Sequence, residues 1–172
     1  MTSFARRTIL SMFAAAPIVY AVRARAVDAL PDARFVGFAQ AVNDFAIQSG
    51  QLALARSANE NVRGYASRAI AEHTAAAQML TKARSEAGVS YAPGGIMGPR
   101  TQNELATLNG LQGPAFDAAF AQAQLAVQTA AEAQMGTYSQ NGTSGPLRRY
   151  AQEMLPKSQM LLEYARRLAG GR

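Results

Sequence analysis

The sequence predicts an all-α fold: a four-helix bundle with a long glycine- and proline-rich crossing and one short extra helix between helices 2 and 3. Three observations predict it. Apolar residues recur at steps of three and four over four stretches, each of more than about twenty residues, which places them on one stripe of a helix. The densest glycine and proline clusters fall between those stretches. No alternating apolar and polar run long enough for a strand occurs. Four long helices with a long middle connection are the arrangement of a closely packed bundle.

Residues 1–26 read as a signal peptide and residues 27–172 as a single bundle domain. Arg6 and Arg7 precede an apolar run from Thr8 to Val22, and Ala24, Arg25 and Ala26 form a small-x-small site with the cut after Ala26. The run is shorter than the roughly 20 residues of a spanning helix, and Pro17 interrupts it, which argues against a permanent anchor. The paired arginines match a twin-arginine export signal, with Arg23 and Arg25 near the cut. Ser3 is displaced from its usual place beside the pair and no lysine follows Leu10, so the export route stays open.

The first helix is expected from Pro31 to about Arg56, with Phe35, Phe38, Val42, Phe45, Ser49 and Leu52 inward. Asn59 is placed to cap the second, whose seam is Val62, Ala66, Ala69, His73, Ala76, Leu80 and Ala83, and Gly88 stops it. GVSYAPGGIMGP, residues 88–99, reads as a surface crossing. Thr101 with Glu104 makes a capping-box start to a short helix that Gly110 closes. The third long helix runs from about Pro114 to Gln140, with Phe116, Phe120, Ala123, Val127, Ala130 and Gln134 inward. Pro146 starts the fourth, with Leu147, Ala151, Met154, Ser158, Leu161, Ala165 and Leu168 on its seam and a kink expected at Pro156.

Charge narrows the function classes. The whole chain carries +6, but four of its 17 basic residues and none of its 11 acidic ones lie in the leader, so residues 27–172 carry 13 against 11, a net of +2. A nucleic-acid partner loses its main support. The chain has no cysteine, so an exported product relies on packing without disulfides, and a lipid anchor on cysteine is ruled out. About 146 residues suffice for one ordinary core.

SGQLALARSANENVRGYASRAIAEH across the first two helices, with FDAAFAQAQ and YAQEMLP across the last two, resembles the exported bacterial family catalogued as domain of unknown function 4142. Members of that family look like ferritin-type four-helix bundles. The resemblance runs from Asp32 to Leu168 and rests on Glu72–His73, Phe116–Asp117 and Leu155–Pro156. It implies a ferritin-like fold and an exported compartment, and no settled activity. It also implies that a metal set, where relatives carry one, would take a glutamate at the position of Ala46 and histidines at those of Gln128 and Leu161. This sequence retains Glu72 and His73 alone. Adjacent helical residues point about 100° apart, and the Glu-x-x-His spacing of a dinuclear ferritin site does not occur. A degenerate metal site without a cofactor is the expectation. The alternative is a divalent metal ion held by His73, Glu72 and other carboxylates.

His73, the one histidine, is read as a seam residue whose ring bonds a carbonyl or side chain across the bundle, in the neutral form that burial favours. A metal ligand would need partners, and a general base would need a cleft and a nucleophile; a serine triad around one buried histidine is improbable on the same grounds. Glu72 is read as a rim carboxylate. Met79, Met97, Met135, Met154 and Met160 are scattered, unlike the clusters of copper carriers, and read as gap fillers. The pairs Arg148–Arg149 and Arg166–Arg167 read as solvated helix ends with weak attraction for anionic polymers. GGIMG lacks the lysine and strand of a phosphate loop. The alanine-rich AAFAQAQLAVQTAAEAQ reads as a close helix contact, with docking of a further helix as the alternative.

The function expected from these readings is that of an exported, metal-free, ferritin-like bundle, periplasmic or secreted, acting as an interaction or envelope-stress module. Its partner would be a protein or envelope component, with no nucleic acid and no transmembrane span in the mature chain; self-association into a homo-oligomer is compatible with it. An enzyme ranks second, as the metal-binding or redox bundle using Glu72 and His73.

Overall fold

The computed structural model describes residues 28–90 and 98–170. The leader and most of the crossing lie outside these residues. Five helices make up the described chain: α1 (Asp32–Arg56), α2 (Glu60–Glu86), α3 (Gly98–Asn109), α4 (Gly113–Asn141) and α5 (Gly145–Ala169). No strand occurs among the described residues.

Local chemistry sets the ends. The Pro31 carbonyl accepts from the amides of Arg34 and Phe35 at 2.8 and 2.9 Å and opens α1. The Asn59 side chain accepts from the Asn61 and Val62 amides at 2.9 and 3.5 Å, the cap expected for α2. Gly88, at φ +64, takes the left-handed conformation that terminates α2, and the next amide, of Val89, returns to the Arg84 carbonyl at 3.0 Å. Ser144 caps α5 by accepting from the Leu147 amide at 3.5 Å. Proline occupies the first turn of both α4 and α5, where its missing amide costs nothing.

Two expectations are corrected. The short helix begins at Gly98, ahead of Thr101, and Thr101 spends its hydroxyl on the Gly98 carbonyl at 3.0 Å inside the first turn. On α4 the buried line shifts by one residue after Val127 and runs through Ala131, Met135 and Tyr138, leaving Ala130 and Gln134 half-buried. A straight helix of 3.6 residues per turn drifts against a fixed three-four pattern over 29 residues, which explains the slip. Helix α5 continues through Pro156 to Ala169.

The long helices close a ring in which α1 packs on α2, α2 on α5, α5 on α4 and α4 on α1. Three-residue links join α1 to α2 and α4 to α5, so the ring is two helical hairpins set against each other. The short α3 lies against α1, where the Arg56 guanidinium donates to the carbonyls of Leu108, Asn109 and Leu111 at 3.1, 2.8 and 3.1 Å and so caps the end of α3. Close approach of α1 and α2 needs Gly50, because a Cβ there would sit 2.8 Å from Ile70 Cγ1.

Burial divides the interior into two apolar clusters. One gathers Phe38, Val42, Phe45, Tyr65, Phe116, Phe120, Val127 and Leu161; the other gathers Phe35, Val36, Leu80, Met135, Tyr138, Leu147, Tyr150 and Met154. On α2 the division falls at His73, between Ala69 and Ala76, and on α5 at Ser158, between Met154 and Leu161. In the second cluster the Tyr138 ring stacks on Phe35 with centroids 3.7 Å apart, and its hydroxyl donates to Asp32, which also accepts from Thr143 at 2.7 Å. This clasp joins the start of α1 to the α4–α5 turn.

Candidate functional site at the buried histidine

His73 is 2% exposed, so its ring must find hydrogen-bond partners within the protein. Two amides supply them. Asn43 Oδ1, from α1, lies 2.9 Å from Nδ1, and Gln128 Nε2, from α4, lies 3.1 Å from Nε2. In this arrangement Nδ1–H donates to Asn43 and Gln128 donates to the bare Nε2, so both nitrogens of a neutral imidazole are engaged. Burial lowers the ring's pKa to about 4, against a smaller opposing pull from the Glu72 carboxylate. A ring with that pKa is a weak base near neutral pH.

The polar groups continue beyond the imidazole. Tyr65 donates its hydroxyl to Gln124 Oε1 at 3.2 Å, Gln124 Nε2 donates to Ser49 Oγ at 2.8 Å, and Ser49 donates to the Phe45 carbonyl at 2.6 Å. Tyr65 also faces Gln128, and burial raises its pKa well above the ordinary phenol value. At the other end Tyr150 faces Asn43 and is pushed up to about 12 by burial. The bonds of Tyr65 to Gln124 and of His73 to Gln128 cross the centre of the bundle, where α2 meets α4 along a diagonal of the ring.

Glu72 neighbours His73 in sequence and serves a different surface. Its carboxylate pairs with Arg68 at 3.0 Å and with Lys157 of α5 at 3.2 Å, and 18% of its side chain is exposed. The rim reading thus becomes a half-buried carboxylate bridging α2 and α5. Of the positions matched to a metal set, Gln128 touches His73, while Ala46 and Leu161 are fully buried apolar residues. Among the described residues no three His, Cys, Asp or Glu side chains gather in a metal-binding group.

Asn43 was missed by sequence reasoning, and so were Tyr65, Gln124 and Tyr150. A signal for Asn43 exists: Val36, Ala39, Asn43, Ala46, Gly50 and Ala53 form a second inward stripe on α1, broken by one amide. Gln124 and Gln128 stand one turn apart on α4 and share one inward face, next to Val127 and Ala131. Two surface hollows flank the layer. One of about 240 Å³ is lined by Tyr65, Tyr164 and Arg167, and one of about 310 Å³ by Lys82, Glu86, Arg149 and Tyr150.

A family model described as Domain of unknown function (DUF4142) matches residues 20–168. The chain belongs to this family. The match covers all four long helices of this DUF4142 protein and starts within the segment read as its leader. No curated protein and no solved structure matches the chain. The family description carries no activity, so the chemistry of this DUF4142 protein is read from its side chains.

Proposed function

We propose that this DUF4142 protein is an exported, ferritin-like bundle that carries no metal and acts as a non-enzymatic interaction or envelope-stress module. One observation carries the reading: both His73 nitrogens are engaged by the neutral amides of Asn43 and Gln128, while the nearest carboxylate, Glu72, is balanced by Arg68 and Lys157. A divalent ion needs several deprotonated ligands whose charge offsets its own, and the groups around the His73 ring are neutral amides. With the interior given over to packing, recognition falls to the surface, where Tyr164, 39% exposed, holds Arg167 4.5 Å from its ring centre. No described helix is long and apolar enough to cross a membrane.

Metal analysis of the purified mature protein tests this reading. Metal well below one ion per chain, unchanged in His73→Ala, supports it. Stoichiometric iron, zinc or copper that is lost in His73→Ala would replace it with the metal-binding bundle.

A further inference from the structure

Met160 of α5 packs half-buried against the apolar cluster that holds Leu161, and its sulfur lies 3.4 Å from Nη2 of Arg68 on α2. Met79, Met135 and Met154 have no hydrogen-bond donor at sulfur, and the last two are buried. A thioether is a weak acceptor, so a guanidinium gains little from it. The same arginine pairs through Nε with Glu72 at 3.0 Å, and the other Glu72 oxygen pairs with Lys157 at 3.2 Å.

This arrangement bears on oxidation. Converting a thioether to a sulfoxide adds a strong acceptor to an apolar side chain, which disrupts packing wherever the new oxygen finds no donor. At Met160 a cationic donor already touches the sulfur. A guanidinium carries several N–H groups, so Arg68 can serve a new oxygen while Nε stays on Glu72. Lys157 keeps Glu72 balanced if Arg68 shifts, and the Arg68 side chain, 50% exposed, has room to do so.

We propose that Met160 is a modification site: a hydroperoxide converts its thioether to the sulfoxide, and the Arg68 guanidinium receives the new oxygen across the α2–α5 seam. In the step, the sulfur lone pair attacks one peroxide oxygen, an S–O bond forms and the O–O bond breaks. The transferred oxygen's proton passes to the departing oxygen, which leaves as water or an alcohol. Sulfur gives up an electron pair and the peroxide accepts it. The weak N–H···S contact becomes a charge-assisted N–H···O bond, so the oxidised side chain stays seated and links α2 to α5 more strongly than before. Met135 and Met154, buried and without a donor at sulfur, are spared.

The inference does not rest on the metal-free reading, and EDTA keeps metal-catalysed oxidation out of its test. The full chain carrying Met79→Leu and Met97→Leu is treated with dilute hydrogen peroxide, and peptide masses locate the added oxygen. Met160 should gain one oxygen before Met135 or Met154 does. Reduced and oxidised forms are then melted with and without Arg68→Leu, a cycle in which the lost Arg68–Glu72 pair cancels. With Arg68 present, oxidation should shift Tm by less than about 2 °C; in Arg68→Leu, where the oxygen has no donor, it should lower Tm by about 4 °C or more. Arg68→Lys, which keeps a cationic donor, should recover part of the difference. Spectra of ¹⁵N-arginine give the same answer with position 68 intact, because the Arg68 side-chain signal should move on oxidation. Equal losses with and without Arg68, an unmoved Arg68 signal, or a Met160 that stays reduced would each overturn the proposal.

Discussion

Acid should destabilise this bundle through His73 in a defined window. The folded ring titrates at about 4 and the unfolded ring at about 6.5, so between those values the unfolded chain binds a proton that the folded chain refuses. A depressed folded value in a base means that stability is fully present above about 6.5, falls as the pH drops through the window, and levels off below about 4. The separation of two to three pH units corresponds to roughly 3 kcal/mol, at about 1.4 kcal/mol per unit. That is a large share of the 5–15 kcal/mol typical of a domain. Urea melts of wild type and His73→Gln, taken in steps from about pH 7 to about pH 4, isolate the effect, because carboxylate contributions are common to both. The wild type should lose roughly 3 kcal/mol more than the variant across the window. Parallel curves would refute the argument, since they would mean that the ring is hydrated or that a neighbour moves to stabilise its charge.

Further outcomes follow from packing and from the leader. Leu161 is 0% exposed in the main apolar cluster, so Leu161→Ala should cost about 2–5 kcal/mol in a urea melt, and a neutral result would contradict its burial. Gly142→Ala should cost about 1–3 kcal/mol, because the new Cβ would overlap the Tyr138 ring, which Phe35 and Asp32 hold in place. Thermal melts unchanged by that substitution would show that the clasp yields easily. Sequencing of periplasmic material should begin near Val27, and an uncut chain retained in the cytoplasm would remove the export reading.

Much of this fold could be read from spacing. The predicted α2 seam, from Val62 through His73 to Ala83, is buried at every position, because helical periodicity and burial are the same geometry. Ends were legible where a single residue decides them, as Asn59 and Gly88 do. Thr101 misled because a threonine at the start of a helix and one bonded back inside its first turn look alike in sequence. The inward turn of His73 was legible, and its partners were not. Asn43 and Gln128 are separated from it by 30 and 55 residues, and pairing across a bundle depends on how far each helix is shifted along its axis. No local pattern encodes that shift.

The diagonal bonds bear on that shift. Ala66, Ala69, Ala76 and Ala83 make up half of the buried face of α2, and sliding it by one turn, about 5.4 Å, would bring alanine back against similar neighbours at several of these positions. The alanine contacts alone would register such a slip weakly, leaving Leu80, Tyr65 and the fit of Ile70 against Gly50 to resist it together with the polar layer. The links of His73 to Asn43 and Gln128, and of Tyr65 to Gln124, would all break together. The layer therefore acts as an indexing pin through a set of low-friction rails. A chain in which Asn43, His73 and Gln128 were all leucine could match the natural protein in a melt and still populate several axial settings, visible as several sets of amide signals where the natural chain shows one.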